Sequence, residues 1–151
     1  MFEIRKAVRA DALAIRRLIW RVRINPLGLN WRRFIVAVDL KGKVIACAQL
    51  KPHKGGAIEL ASVAVYEPHR SQGIAGTLIR HLLKKQRNHV YLTCRENLTG
   101  YYQCFGFTVV NEEAKLPPYF DKVRRFYKKY AAFVKPEIGL AIMVCRDCDP
   151  S

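Results

Sequence analysis

Arg70-Ser71-Gln72-Gly73-Ile74-Ala75-Gly76 joins an apolar run, Ile58 to Tyr66, to an apolar-periodic one, Thr77 to Leu83. That order predicts strand, glycine loop and helix. At such a junction the first N–H groups of the helix lack intrahelical partners and face outward with the positive end of the helix dipole, which suits an anion. Gly73 and Gly76 remove side chains where a pyrophosphate would approach the backbone, and Arg70 adds a cation at the mouth. The same composition also fits a tight turn that holds no ligand, because glycine mostly punctuates turns. The spacing is neither Gly-x-x-x-x-Gly-Lys-Ser/Thr nor Gly-x-Gly-x-x-Gly, which removes most support for a nucleoside triphosphate or a dinucleotide.

Two further stretches carry chemistry. Tyr102-Gln103-Cys104-Phe105-Gly106-Phe107 follows a short strand candidate, His89 to Cys94, and Glu59 lies on the strand that leads into the loop, eleven residues before Arg70. Arg70, Gly73 and Ala75 stand at the three defining positions of the Gln/Arg-x-x-Gly-x-Gly/Ala signature, so the loop resembles that of the GNAT acetyltransferases. The Tyr102 to Phe107 segment is similar to the Tyr-x-x-x-Gly-Phe segment of the same family. Two motifs in the family's order, separated by one helix and one strand, are far more specific than either alone.

The resemblance implies an acetyl-CoA-dependent N-acetyltransferase acting on a primary amine by direct attack on the thioester. Such a reaction asks for a deprotonated acceptor nitrogen, a donor for the developing oxyanion and an acid for the departing thiolate. By the same resemblance acetyl-CoA, the cosubstrate, is held by the backbone of Val63, Ala64 and Val65, by Arg70, Ser71, Gln72, Gly73, Ile74, Ala75 and Gly76, and by Asn97 and Tyr102. The N–H of Val65 is the oxyanion donor, and Tyr102 is the acid, a phenol that keeps its proton at neutral pH. Glu59 is the base through a water chain, since a carboxylate in a partly apolar cleft has its pKa raised toward the working range. Without the resemblance Tyr102 is equally a packing tyrosine, with Tyr101 its neighbour, and Glu59 equally a solvated or ion-paired strand residue. Glu67 and Glu96 are rival bases, and His53 and His69 are the histidines placed nearest that strand. Asn97 stands five residues before Tyr102, closer than the family often shows.

The elements that must position these groups read as one mixed α/β domain over residues 1–151. Strands are expected at Phe2 to Lys6, Phe34 to Val38, Lys43 to Leu50, Ile58 to Tyr66, His89 to Cys94, Phe107 to Val110 and Gly139 to Cys145. Helices are expected at Ala12 to Ile24 with Asp11 as N-cap, at Gly76 to Arg87, at Leu98 to Phe105 and at Tyr119 to Phe133. Asp39-Leu40-Lys41-Gly42 joins two of the strands into a hairpin, and His53-Lys54-Gly55-Gly56 makes the next turn. Strands first in hairpins and then alternating with helices give one mixed β-sheet flanked by α-helices. That order resembles the GNAT fold over nearly the whole chain.

Composition narrows the partners. No apolar run approaches the roughly 20 residues that span a bilayer, and Met1-Phe2-Glu3-Ile4-Arg5 lacks the apolar centre of a secretory signal, so a cytoplasmic protein is expected. Cys47, Cys94, Cys104, Cys145 and Cys148 form an odd set that suits buried thiols in a reducing compartment. Cys145-Arg146-Asp147-Cys148 offers two of the four ligands a structural zinc wants and reads as incidental, so no metal is expected.

Twenty-seven lysines and arginines against 12 acids give a net charge of +15. Such a field draws anions. The cations concentrate in an insertion at about 112–137 between the last two strands, where Lys122, Arg124, Arg125, Lys128 and Lys129 alternate with Phe120, Val123, Phe126, Tyr127 and Tyr130. This basic amphipathic helix either packs its aromatic stripe on the domain and leaves a basic face to solvent, or meets nucleic acid or an anionic membrane surface. A basic module that engages a polyanion and binds acetyl-CoA weakly is therefore the alternative function. The acids are few and dispersed, which disfavours a lysine-rich acceptor; a small amine, an amino acid and the amino group of an acidic protein or peptide all fit.

Overall fold

The computed structural model describes residues 1–84, 86–134 and 139–148, with 131–134 described through the backbone alone. The chain forms two compact units, Met1–Lys51 with Leu60–Lys84, and Pro52–Glu59 with Lys85–Ser151. In the first, the run Phe-Ile-Val-Ala-Val of strand β2 (Phe34–Val38) is buried at every position. It pairs antiparallel with β1 (Glu3–Lys6) on one edge and β3 (Val44–Pro52) on the other. The β2–β3 turn forms because the Asp39 carboxylate accepts from the N–H groups of Lys41 and Lys43, each at 2.9 Å, while Gly42 takes φ +80°. Side chains alternate across β2 with period two. Phe34, Val36 and Val38 meet Ile15, Leu18 and Ile19 of helix α1 (Ala12–Val22), whereas Ile35 and Ala37 meet Ile74 and Leu78 of α2 (Ile74–Leu83). A strand covered on both faces reads as an unbroken apolar run.

Asp11 does not cap α1 through its side chain. It closes a 3-10 turn, Arg9–Asp11, in which its carboxylate accepts from the Val8 N–H at 2.8 Å and from both Nη atoms of Arg5 at 2.7 and 3.1 Å. The fork holds the Asp11 carboxyl below the usual range, and the Val8 bond adds to it. Helix α1 ends at Val22, two residues short of expectation, because Arg23 turns left-handed at φ 58°. Helix α2 starts two residues earlier than expected, at Ile74.

In the second unit β5 (Val90–Arg95) pairs antiparallel with β7 (Leu140–Cys145), which pairs with β6 (Thr108–Val109). The first residues of β4 (Ile58–Val65) run parallel to β5 at Ile58↔Val90 and Glu59↔Tyr91. Strand β4 thus contributes to both units, and the seven-stranded order is β1-β2-β3-β4-β5-β7-β6, the mixed sheet that the sequence implies. Helix α3 (Thr99–Gln103) is shorter than expected at both ends: a separate 3-10 turn, Glu96–Leu98, takes its first residue, and Cys104 and Phe105 fall in tighter turns that lead to Gly106 at φ +93°. Strand β6 keeps only two of its expected residues, and Phe107 turns into the core.

Helix α4 (Pro118–Val134) occupies the basic insertion, whose expected end at 135–137, with Lys135, lies outside the described residues. So does Lys85 of the expected second helix. Phe120 is fully buried against Ala57, Leu116 and Ile142. The aromatic stripe as a whole does not pack. Phe126 is 65% exposed and Tyr130 46% exposed, and their rings meet at a tilt, 4.6 Å between centroids. Around the helix Phe120, Tyr127, Val123, Tyr130 and Phe126 follow one another along a single arc, with Phe120 at its buried edge and Tyr130 and Phe126 at its exposed edge. All five cysteines are free thiols and four are buried, but Cys104 is exposed. No helix among the described residues is long and apolar enough to cross a membrane.

Candidate active site

The glycine loop follows a 3-10 turn, Glu67–His69, and is turned by two left-handed residues, Ser71 at φ 64° and Gly73 at φ 76°. Gly73 is the N-cap of α2, so no side chain satisfies the first N–H groups of that helix, and its first turn carries no acid. A Cβ at Gly73 would meet nothing within 4 Å, so the side-chain face of Gly73 is open. This end of a ten-residue helix fits a phosphate. Arg70, Ser71, Gln72 and Gly73 are exposed, whereas Ile74 and Gly76 are buried and Ala75 is half-buried. The latter three can serve an anion only through their backbone, and Gly76 acts as a packing residue inside the helix. Arg70 folds back so that its Nε donates to the carbonyl of Val65 at 3.3 Å, which ties the loop to the end of β4.

Sequence reasoning missed Ser62. It is left-handed, at φ 57°, inside β4. The buried amide of Gln49 holds this kink, its Nε2 donating to Ser62 Oγ at 2.8 Å while its Oε1 finds no donor among the described residues. Beyond the kink, Val63 and Val65 pack with the α2 cluster and Ala64 with the α1 cluster. The available signal was a polar residue inside each of two largely apolar strands, Gln49 in β3 and Ser62 in β4, the latter strand carrying Glu59 as well.

In the second unit Glu59 is only 7% exposed, so it is not a solvated strand residue. Its Oε1 lies 2.8 Å from Nε2 of His53. The His53 ring is stacked on Tyr119 at 3.7 Å and edge-on to Phe120 at 5.8 Å, which fixes its plane. Burial raises the Tyr119 pKa, and the Glu59 charge raises it further. Of the rivals, His69 packs on Tyr66 at 6.1 Å, and Glu67 and Glu96 are exposed.

Tyr102 sits on α3, and burial followed by the nearby Cys94 and Tyr101 pushes its pKa up to about 12. The motif around it has a mechanical basis. Gly106 takes φ +93° to end the helix, and Phe107 swings back under Tyr102 at 6.2 Å, edge to face. Tyr101 is 42% exposed. Asn97 is exposed on the 3-10 turn between β5 and α3. Among the described residues no three His, Cys, Asp or Glu side chains group as a metal site.

The model of the acetyltransferase (GNAT) family matches residues 6–107. No curated protein sequence matches the chain. Among solved structures, Rv2747 from Mycobacterium tuberculosis, in complex with CoA and NLQ, superposes with a TM-score of 0.69 at 26% identity, over 94% of this chain and 97% of that one. Escherichia coli ElaA gives 0.68 at 17% identity, over 95% and 99%. N-acetylglutamate synthase from Neisseria gonorrhoeae, complexed with coenzyme A and N-acetyl-glutamate, gives 0.72 at 20% identity over 95% of this chain, which spans about a third (34%) of the synthase. With its glycine loop and Tyr-x-x-x-Gly-Phe segment inside the matched region, the chain belongs to the GNAT family of N-acetyltransferases.

Proposed function

We propose that the protein transfers an acetyl group from acetyl-CoA to a primary amine. The observation that carries this reading is the uncapped N-terminus of α2 behind the open face of Gly73. Support comes also from the relatives crystallised with coenzyme A, of which Rv2747 is 26% identical. The pyrophosphate is assigned to the backbone N–H groups of residues 72–76 with Arg70 beside it, and the pantetheine arm to the backbone of Val63, Ala64 and Val65. Asn97 is assigned to the same ligand.

Bound there, acetyl-CoA supplies an activated acetyl thioester. Glu59 takes, through a water, the proton that the amine nitrogen gives up as its bond to the carbonyl carbon forms. The N–H of Val65 donates to the oxygen on which charge develops. Tyr102 gives its proton to the sulfur as the carbon–sulfur bond breaks. A phenol with its pKa near 12 holds that proton across the neutral range. His53 fixes the orientation of the Glu59 carboxylate through their 2.8 Å contact.

Calorimetric titration with acetyl-CoA at about 0.15 M and about 0.5 M salt tests the reading, because salt screens a diffuse attraction far more than a formed site. One-to-one saturation at both salts is expected. Binding that vanishes at the higher salt overturns the site. A second reading rests on α4, where the exposed Phe126–Tyr130 pair stands among Lys122, Arg125 and Lys129, with Lys129 Nζ 5.6 Å from the Tyr130 ring. Aromatic faces among cations suit single-stranded nucleic acid, and that reading takes over if only polyanions bind.

A further inference from the structure

A cavity of about 580 Å³ opens between α4 and the β6–β7 strands, a size that suits a small molecule. Its apolar lining comes from Val109 and Val110, from Leu140, Ala141 and Ile142, and from Leu116. Its charged lining is Glu96, Glu112, Arg124 and Lys128. Arg124 is already committed, to the carbonyls of Glu112 and Ala114 at 2.8 and 3.1 Å and to the Asp121 carboxylate. Glu96, Glu112 and Lys128 enter no ion pair among the described residues. In a chain with 12 acids, two unpaired carboxylates at one apolar cavity concentrate a charge that the linear sequence disperses. Glu96 and Thr99 of the lining flank Asn97 and open the segment that carries Tyr102. The Glu96 carboxylate also occupies the space in which a side chain at position 139 would stand, so Gly139 makes room for it.

Building on the acetyltransferase reading, we propose that this cavity is the acceptor pocket and that it takes a free α-amino acid with an apolar side chain. The ammonium group is held at Glu96, the carboxylate at Lys128, and the side chain on Val109, Leu140 and Ile142. A carboxylate and an ammonium group that share one apolar cavity match a zwitterion. A simple alkylamine leaves Lys128 unopposed, and an acidic side chain would meet Glu112 and bury its carboxylate on apolar surface. The preference therefore separates this chain from the synthase, whose complex holds N-acetyl-glutamate.

The test is direct titration of the full chain with L-leucine, L-glutamate and isoamylamine, followed by initial rates with each as acceptor. Leucine is expected to bind and react at least about tenfold better than the other two, the worth of one charge-assisted contact. Lys128→Met should erase the margin of leucine over isoamylamine. Glu96→Gln should raise the KM for leucine about tenfold or more and leave the KM for acetyl-CoA unchanged. Gly139→Ala, which displaces the Glu96 carboxylate without removing its charge, should act in the same direction. A preference for glutamate, equal use of isoamylamine, or no effect of both Glu96→Gln and Lys128→Met overturns the assignment. Acetyl-CoA binding with no leucine binding defeats the pocket alone, whereas leucine binding without acetyl-CoA binding defeats the acetyltransferase reading and leaves the pocket an amino-acid site.

Discussion

Replacing Tyr102 by Phe removes one hydroxyl and keeps the ring that packs edge to face on Phe107 at 6.2 Å, so the helix and the motif behind it should stay intact. Burial raises the phenol pKa from 10.0 to about 12. Two units correspond to about 2.7 kcal/mol in favour of the neutral form. At pH 7 the ionised fraction is then about 10⁻⁵, and the hydroxyl is a standing proton donor. If it protonates the leaving sulfur, its loss should lower kcat about 10²- to 10⁴-fold, the usual worth of a general acid. Acetyl-CoA affinity should change less than about threefold, since less than one neutral hydrogen bond is lost in the ground state. Continuous measurement of thiol release, paired with calorimetric titration of acetyl-CoA, reads both quantities. A kcat within about threefold of the parent refutes the acid assignment. A second readout tests the burial itself. Because the folded pKa lies above the unfolded one, the unfolded chain loses this proton first, so stability is full below pH 10 and falls as pH rises from 10 towards 12. The parent should lose up to about 2.7 kcal/mol more over that window than Tyr102→Phe. Parallel denaturation curves at pH 9, 10.5 and 11.5 would show it, and identical slopes would mean that the hydroxyl is solvated.

Four other substitutions probe different parts of the molecule. Gly73→Glu places a carboxylate on the open face of the α2 N-cap and also strains a φ of +76°; acetyl-CoA binding should fall beyond detection by calorimetry, and normal binding would remove the loop from the site. Asp11→Asn breaks the two-pronged bond with Arg5 and should cost about 1.5–3 kcal/mol at pH 7 in chemical denaturation. Because the folded Asp11 pKa is depressed, that contribution is present above the unfolded value and fades as pH falls through the folded one, so parent and variant should converge in acid. Phe120→Ala empties a fully buried position under α4 and should cost about 3–5 kcal/mol, whereas Phe126→Ala, at a residue 65% exposed, should change stability by less than about 0.5 kcal/mol; equal costs would contradict the split of the aromatic stripe.

Much of this protein follows from local sequence. The unbroken apolar run at 34–38 dictates a strand covered on both faces, Asp39 and Gly42 dictate the hairpin turn, and the loop glycines dictate where β4 gives way to a helix. Each of these is decided by neighbours in the chain: side-chain periodicity, a carboxylate within reach of its own turn, a backbone angle that only glycine adopts cheaply. The linked loop and Tyr102 motifs are likewise local, and they place the chain in its family. The tertiary structure decided the partners. Asp11 is within range of capping α1 but pairs with Arg5, because a fork of two charged bonds outweighs one bond to a helix N–H. Glu59 lies on a strand in a chain crowded with lysines and arginines, yet it meets an imidazole fixed by stacking on a helix 60 residues further along. Ser62 is kinked by a buried amide from the neighbouring strand, which no period reveals. Glu96 and Glu112, separated in sequence, line one cavity. Helical and strand periods report which face of an element is apolar; they carry no information about which distant side chain that face will meet, and that is where the chemistry of this protein is set.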